Sequence, residues 1–476
     1  VSEALRHVHF VAIGGTGMGS LAGLLHARGV RVTGSDEKLY PPMSTLLEEW
    51  GIPVTEGFRA ENVLEHPADL VVIGNAVRAS NPEARAAIDE GLPYRSFPDA
   101  LYELAIAGKH PVVITGTHGK TTTTSLVAAL LHGTGRDPSL LVGGHSLDFG
   151  GSFREGQGEH FVVEGDEYDT AFFDKTPKFL HYGARTCVVT SVEFDHADIY
   201  HDLDHVKQAF RTLVSRLPAD GTLVAALDHE GVRDVIAGAP CRVVGYGMQA
   251  RPGLAWRASA LAADPQGTRF DVYREGRFAA RLRVPLYGRI NVENALAALA
   301  TVDALGVPLE EAAPALAAFK GVKRRQEVRG EERGITVIDD FAHHPTAVRE
   351  TIAALLARYP GRRLVAVFEP RTNTSRRKLF QRDYAEAFEG AGWVVVAVVP
   401  DAPIYSITGE VTERFSAPEL AADLRARGIP ADAIEGVPAI VEKLARDCRE
   451  GDVVAVMSNG DFGNLWQHLL DALRRG

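Results

Sequence analysis

Cysteine is scarce in this chain, and its three copies, Cys187, Cys241 and Cys448, stand far apart. Without a C-x-x-C pair they promise neither a disulfide framework nor a zinc site. No apolar run approaches the ~20 residues that a membrane-spanning helix needs. The N-terminus lacks a charged segment followed by an apolar one, so no leader is expected and a cytoplasmic protein is. Basic residues are in deficit, 51 Lys and Arg against 62 Asp and Glu, for a net charge of −11. That balance argues against nucleic acid as a partner, and nothing calls for a membrane. An acidic protein that binds anions must meet them in local basic pockets. Low-complexity tracts and short repeats are lacking too.

What remains is an ordinary globular composition, 45% hydrophobic and 24% charged, in 476 residues. That length suggests about three domains of ~150 residues. Short apolar runs alternate with helical patterns, which indicates α/β architecture with parallel sheets. Strands are expected at Val8–Ile13, Val30–Thr33 and Leu70–Ile73, with helices at Leu21–Ala27 and Ser44–Trp50. A second series of strands follows at Val112–Thr115, Phe161–Val163, Cys187–Val192, Thr222–Leu227 and Arg242–Tyr246. From Ala255 to Pro285 residues alternate in the manner of antiparallel strands, and Val292–Leu305 reads as an amphipathic helix. A third series comprises Ile335–Ile338, Leu364–Phe368, Trp393–Val399 and Val453–Met457. Boundaries near Lys109 and Gly321–Gln326 give domains 1–109, 110–325 and 326–476.

The most informative stretch is Gly116-Thr117-His118-Gly119-Lys120-Thr121-Thr122, between the strand ending at Thr115 and a helix over Ser125–His132. A glycine turn running into a helix N-terminus aims backbone N–H groups at phosphate oxygens. Lys120 adds a charge for the β- and γ-phosphates, and the Thr121 hydroxyl suits Mg²⁺. A second glycine loop, Gly14 to Gly19, follows the first strand, with Asp36 ending the next one. It fits a nucleotide diphosphate better than NAD, because Ser20 stands where the third glycine of the dinucleotide pattern belongs.

Further polar clusters end later strands. Val162–Asp169 delivers Glu164 where α/β ligand sites form, as a plausible Mg²⁺ ligand. In Thr190–Asp198, Asp195 and Asp198 flank His196 and can orient its ring or complete a hard-metal site. Asn291, in Gly288–Asn294, reads equally as a helix N-cap or a ligand contact. The basic run Lys320–Arg325 precedes Ile338–Thr346, which holds Asp339, Asp340, His343 and His344. Together they look like a hinge and a closing lid for polyphosphate.

In order and over the whole chain, these strings resemble the Mur ligase superfamily: G-G-T-G-M-G, G-T-H-G-K-T-T-T-T, E-G-D-E-Y-D, E-F-D-H-A-D, G-R-I-N-V-E-N and D-D-F-A-H-H-P-T. The resemblance implies three α/β domains. The first is a Rossmann-like UDP-binding domain, the second a P-loop ATPase-like mixed sheet, and the third again Rossmann-like. It implies ATP-driven amide-bond formation with Mg²⁺ on small-molecule substrates. Within the family, Ala171–Lys175, Lys178–Tyr182, Glu369–Thr374 and Met457–Gly460 look like the members that take UDP-N-acetylmuramate and a murein tripeptide, L-alanyl-γ-D-glutamyl-meso-diaminopimelate. Members adding free L-alanine are the nearer alternative, and an NAD-dependent oxidoreductase the more distant one.

Site roles follow from the same resemblance. Lys120, Glu164, His196 and Arg325 would be catalytic, with Thr121, Glu164 and His196 holding metal. ATP would meet Gly116, Thr117, His118, Gly119, Lys120, Thr121, Thr122, Asn291, Asn294, Arg325, Asp340 and His343. The UDP-sugar would meet Gly15, Gly17, Met18, Gly19, Ser35, Asp36 and Asn75. The acceptor peptide would meet Arg371, Asn373 and His344, with Arg376 and Arg377 reading as a solvated helix start. Gly165, Ile290 and Asp461 depart from the usual family residues, and Phe210 occupies the place where some members carry a carbamoylated lysine.

Overall fold

The structure, a computed structural model, describes residues 5–40, 43–399, 402–407 and 409–475. They form two compact units, each discontinuous in sequence. The first comprises Val1–Val192, Lys207–Arg257 and Asn294–Lys320, the second Glu193–Val206, Ala258–Glu293 and Gly321–Gly476.

The first unit opens with an all-parallel sheet ordered Val54–Glu56, Arg31–Asp36, His7–Val11, Leu70–Ile73, Tyr94–Ser96. This is the doubly-wound, Rossmann-like order, with its switch point between His7–Val11 and Leu70–Ile73. The inner strand Leu70–Ile73 is apolar throughout, as a strand covered on both faces should be. Val8, Phe10, Val71, Val72 and Ile73 are all fully buried.

The central sheet of this unit runs from residues 254–257, the start of strand Leu254–Asp264, through Arg242–Gly247, Thr222–Ala226, Thr186–Val189, His110–Thr115, His160–Glu164 and Ser139–Ser146 to Gly151–Arg154. All neighbours are parallel except the last pair. The two sheets share packing. A Cβ at Gly23, on helix Thr16–Ala27, would lie 2.6 Å from the Phe153 ring and 2.8 Å from Trp50. Ser20 and Ser152 exchange a 2.6 Å hydrogen bond, and Arg28 pairs with Glu155 at 2.7 Å.

Strands Gly267–Arg274 and Arg277–Val284 in the second unit are antiparallel, as the alternation predicts. The main sheet of that unit runs Glu327–Glu332, Ile335–Asp340, Val453–Met457, Leu364–Phe368, Trp393–Val398, Ala431–Glu435. Only its first pair is antiparallel. Its core lies on both faces, around Phe368, Tyr384 and Phe388 on one side and Leu465, Leu469 and Ile440 on the other. Among the described residues no helix is long and apolar enough to cross a membrane.

Candidate active site

In the first unit the parallel strands aim their C-terminal ends at the two glycine loops. Gly15 caps helix Thr16–Ala27, Gly17 faces the Phe97 ring, and Gly19 leaves no room for a side chain beside Met43. Asp36 does not stand free at this loop: its Oδ2 accepts the Gly14 amide at 2.8 Å. Ser35 is fully buried, its hydroxyl donates to Glu83, and its carbonyl accepts the Ala12 and Ile13 amides at 2.9 and 3.0 Å, which shapes the start of the glycine loop. Asn75 is exposed just past strand Leu70–Ile73, and Met18 is buried.

The second loop is built more tightly. Gly116 (φ +133°) and Gly119 (φ +81°) adopt backbone conformations that side chains disfavour. A Cβ at Gly119 would also lie 2.4 Å from the Asn294 amide oxygen. Helix Lys120–Gly133 starts immediately after, five residues earlier than the sequence pattern suggests. The loop is braced from the neighbouring strand. The His118 amide donates to the Ser191 hydroxyl at 2.8 Å, and the Thr117 amide to the Ser191 carbonyl at 3.0 Å. Strand Thr186–Val189 therefore stops before Thr190 and Ser191, which the sequence reading included in it. Thr122 is buried, and Thr123 donates to Asn294 at 3.2 Å.

Lys120 donates to the Gly116 carbonyl at 2.7 Å and to Glu167 at 2.6 Å, with side chains only 13% and 3% exposed. Burial works against its ammonium, but the carboxylates of Glu167, Asp166 and Glu164 outweigh it and hold the lysine charged above its ordinary range. Thr121 donates to Glu164 at 2.9 Å, and Glu164 also accepts the Gly143 amide at 2.7 Å. Lys120 and Thr121 from one string and Glu164 from another thus meet in one cluster. Its hydroxyl and carboxylate oxygens are hard donors of the kind Mg²⁺ prefers. Sequence reasoning missed Glu167 as the lysine's partner, though the second glutamate of E-G-D-E was its signal.

The second unit gathers the histidines. Asp195 is buried, accepts the His196 amide at 2.7 Å and lies 3.8 Å from His343 Nε2. Burial alone would raise its carboxyl, yet His196, His343 and His344 together hold it well below the usual carboxylate range. His343 Nδ1 bonds the Phe341 carbonyl at 3.0 Å.

His344 corrects the sequence reading. It is buried, its Nδ1 accepts the Thr346 amide to cap helix Pro345–Arg358, and its Nε2 bonds the Phe194 carbonyl, so its ring is not presented to a peptide. Asp340 is buried as well, and burial pushes its carboxyl up. Its oxygens accept the Ala342 and Gln326 amides, each at 2.8 Å. Asn291 lies inside helix Arg289–Ala304 and donates to the Tyr287 carbonyl at 2.7 Å, so it is not an N-cap.

Of the basic run, Arg325 lies over the Phe341 ring at 4.9 Å. Arg324 is held in place: it bonds Asp339 at 3.2 Å and the carbonyls of Ser458 and Gly460. Arg371 is half-exposed beyond strand Leu364–Phe368, 3.5 Å from Asp461. Nearby Glu369 accepts from Ser458 at 2.5 Å, and burial raises its carboxyl. Asn373 donates to Asp198 at 3.3 Å and accepts the Tyr405 amide. Arg376 and Arg377 stand just before the short helical turn Lys378–Phe380, with Arg377 at its N-cap, but both are engaged with carbonyls rather than solvated. Arg377 reaches the Ala197 carbonyl at 2.9 Å, and Arg376 the Ala402 carbonyl.

Comparison with known proteins gives this geometry a context. Residues 7–109 match the Mur ligase family catalytic domain, 114–302 the Mur ligase middle domain, and 324–460 the Mur ligase glutamate ligase domain. The chain is 37% identical over 470 residues, 98% of each chain, to the Escherichia coli UDP-N-acetylmuramate–L-alanyl-γ-D-glutamyl-meso-2,6-diaminoheptandioate ligase. It is 38% identical over 464 residues, 96% of this chain and 94% of the relative, to the UDP-N-acetylmuramate–L-alanine ligase of Sorangium cellulosum. The crystal structure of a murein peptide ligase from Psychrobacter arcticus superimposes with a TM-score of 0.74 at 33% identity, covering 99% of both chains.

Proposed function

The chain belongs to the Mur ligase family, and from that premise we propose that it joins the lactyl carboxylate of UDP-N-acetylmuramate to the L-alanine amine of L-alanyl-γ-D-glutamyl-meso-diaminopimelate, at the expense of ATP. This family membership replaces the oxidoreductase alternative. The observation that carries the reading is the cluster of Lys120, Thr121 and Glu164 at a glycine-built helix N-terminus, where a triphosphate fits and a nicotinamide has no part. Residues 1–109 take the UDP-sugar, 110–325 take ATP, and 326–476 take the acceptor. ATP supply places the enzyme in the cytoplasm.

A carboxylate is a poor electrophile, because its charge repels nucleophiles and oxide does not leave. In the first step a carboxylate oxygen bonds to the γ-phosphorus of ATP, the bond to the β-bridging oxygen breaks, and ADP departs. In the second the peptide amine attacks the acyl carbon, phosphate leaves with the bonding pair, and the amine loses a proton. Phosphoryl transfer asks the protein for positioning and charge neutralisation. Lys120 gives its charge to the β- and γ-oxygens, exchanging Glu167 for phosphate. The amides of the loop and first helical turn hold the remaining oxygens, and Arg325 meets the γ-phosphoryl group. Magnesium held by Thr121, Glu164 and His196 would neutralise charge on the transferring phosphoryl group. Asn291 and Asn294 lie near the base, and Asp340 and His343 border the nucleotide.

Arg371 suits a carboxylate of the tripeptide, since its guanidinium fork binds carboxylates in bidentate fashion. The similarity to L-alanine-adding relatives favours free L-alanine as the second reading. Phosphate release with UDP-N-acetylmuramate and ATP, with tripeptide or L-alanine as acceptor, tests both. Turnover with tripeptide far above that with L-alanine is expected. The reverse ranking would transfer the enzyme to the alanine-adding activity.

A further inference from the structure

Arg325 sits between two residues in an uncommon backbone state. Arg324 has φ +60° and Gln326 φ +52°, the left-handed region that non-glycine residues seldom occupy. Such a backbone persists only when its surroundings determine it. On the Arg324 side, the Phe341 amide donates to the Arg324 carbonyl at 2.9 Å. On the other side the backbone amide, the backbone carbonyl and the side-chain NH2 of Gln326 are all bonded. Its amide donates to Asp340 at 2.8 Å, its carbonyl accepts from Arg358 at 3.2 Å, and its side-chain amide donates to the Tyr287 carbonyl at 3.4 Å.

Arg358 is itself held in a fixed plane. It ends helix Pro345–Arg358 and its guanidinium lies over the rings of Tyr287 (4.8 Å) and Tyr359 (5.1 Å). Tyr287 carries the link onward, because its carbonyl also accepts from Asn291 at 2.7 Å. One chain of contacts therefore joins Asn291, Tyr287, Arg358 and Gln326, and ends on the carbonyl and side chain of the residue that follows Arg325.

We propose that Arg358 is a positioning residue for Arg325, fixing through Gln326 and Tyr287 the backbone from which Arg325 meets the phosphoryl group. It touches no substrate. This inference rests on the reading of Arg325 given above. A lysine would keep the charge but lose the planar fork that stacks and donates together.

The test is a double-mutant cycle in the full-length enzyme, read by phosphate release, with Arg358→Met, Arg358→Lys and Arg325→Ala singly and combined. Arg358→Met is expected to lower kcat roughly 10- to 100-fold, the penalty of a displaced catalytic group. Arg358→Lys is expected to recover little of it, and the KM for UDP-N-acetylmuramate to stay within about twofold. In the Arg325→Ala background, Arg358→Met should add almost nothing, since residues acting as a unit are non-additive.

Arg362→Met supplies the structural control. Arg362 bonds the Gly451 and Asp452 carbonyls beside the same helix end without touching Gln326, so its loss should lower the unfolding temperature and combine with Arg325→Ala multiplicatively. If Arg358→Met also multiplied fully with Arg325→Ala, the positioning role would be overturned while the reading of Arg325 stood. If Arg325→Ala alone turned over at the wild-type rate, that reading would fall and the proposal with it.

Discussion

Glu167→Gln separates folding from ligand binding by moving them in opposite directions. The wild-type pair buries both charges, Lys120 Nζ standing 2.6 Å from Glu167. Removing one partner of a buried pair costs about 3–5 kcal/mol, because the other charge is left uncompensated. Lys120 keeps its bond to the Gly116 carbonyl and the fields of Asp166 and Glu164, so the lower end, about 3 kcal/mol, applies. At about 2–4 °C per kcal/mol for a body this large, unfolding of the first unit should fall by roughly 6–12 °C. Nucleotide binding should improve, because Glu167 competes with phosphate for the same ammonium. One like charge removed at ~7–8 Å under an effective dielectric of ~20 is worth on the order of 2 kcal/mol, up to about thirtyfold in Kd. Scanning calorimetry without ligand, and ADP titration calorimetry in EDTA, measure the two effects separately. Unchanged unfolding together with weakened ADP binding would refute the reasoning, since Glu167 would then be a phosphate-side residue and not the lysine's counter-ion.

Other expectations test other parts of the molecule. Lys120→Ala and Glu164→Ala should each lower ligation by on the order of 10²–10³ with circular dichroism unchanged, and near-wild-type turnover in either would discard the phosphate-site assignment. Arg371→Ala should lower kcat/KM for tripeptide by about 2–3 kcal/mol while sparing the KM for ATP, and an equal loss for both substrates would argue against a carboxylate contact. The hydrogen bond from His181 holds the Asp99 carboxyl below its ordinary range, against the effect of burial. A depressed carboxylate contributes stability that is fully present above its unfolded pKa, about 4, and is lost as pH falls through its folded value. The stability gap between wild type and Asp99→Asn should therefore shrink as pH falls below about 4. A gap that persisted to pH 3 in denaturant titrations would contradict this.

How much could be read beforehand depended on whether the signal was local. Strands Leu70–Ile73, Leu364–Phe368 and Val453–Met457 were expected at their observed bounds, because a strand buried on both faces writes a continuous apolar run. Strands Ser139–Ser146 and Glu327–Glu332 were not foreseen, since glycines and charges interrupt their pattern. The glycine loops were visible because backbone geometry dictates the residue type. Partnerships across long stretches of sequence left no trace. Nothing near Arg377 announces Ala197, and nothing near Gln326 announces Arg358. His344 misled for the same reason: a histidine beside Asp-Asp suggests chemistry, whereas its ring is spent on a helix cap and a distant carbonyl.

The shared packing of Gly23, Trp50 and Phe153, with the Arg28–Glu155 pair beside it, sets a rule for building chimeras. The sequence invites an exchange point near Lys109. A hybrid joined there would pair one parent's Thr16–Ala27 helix with the other parent's Gly151–Arg154 strand. A larger residue at position 23 would then collide with the Phe153 ring, and a mismatched partner for Glu155 would strand a charge. Grafting a different sugar-nucleotide specificity onto this enzyme therefore requires a junction beyond Glu155, so that helix and strand travel as one inherited piece.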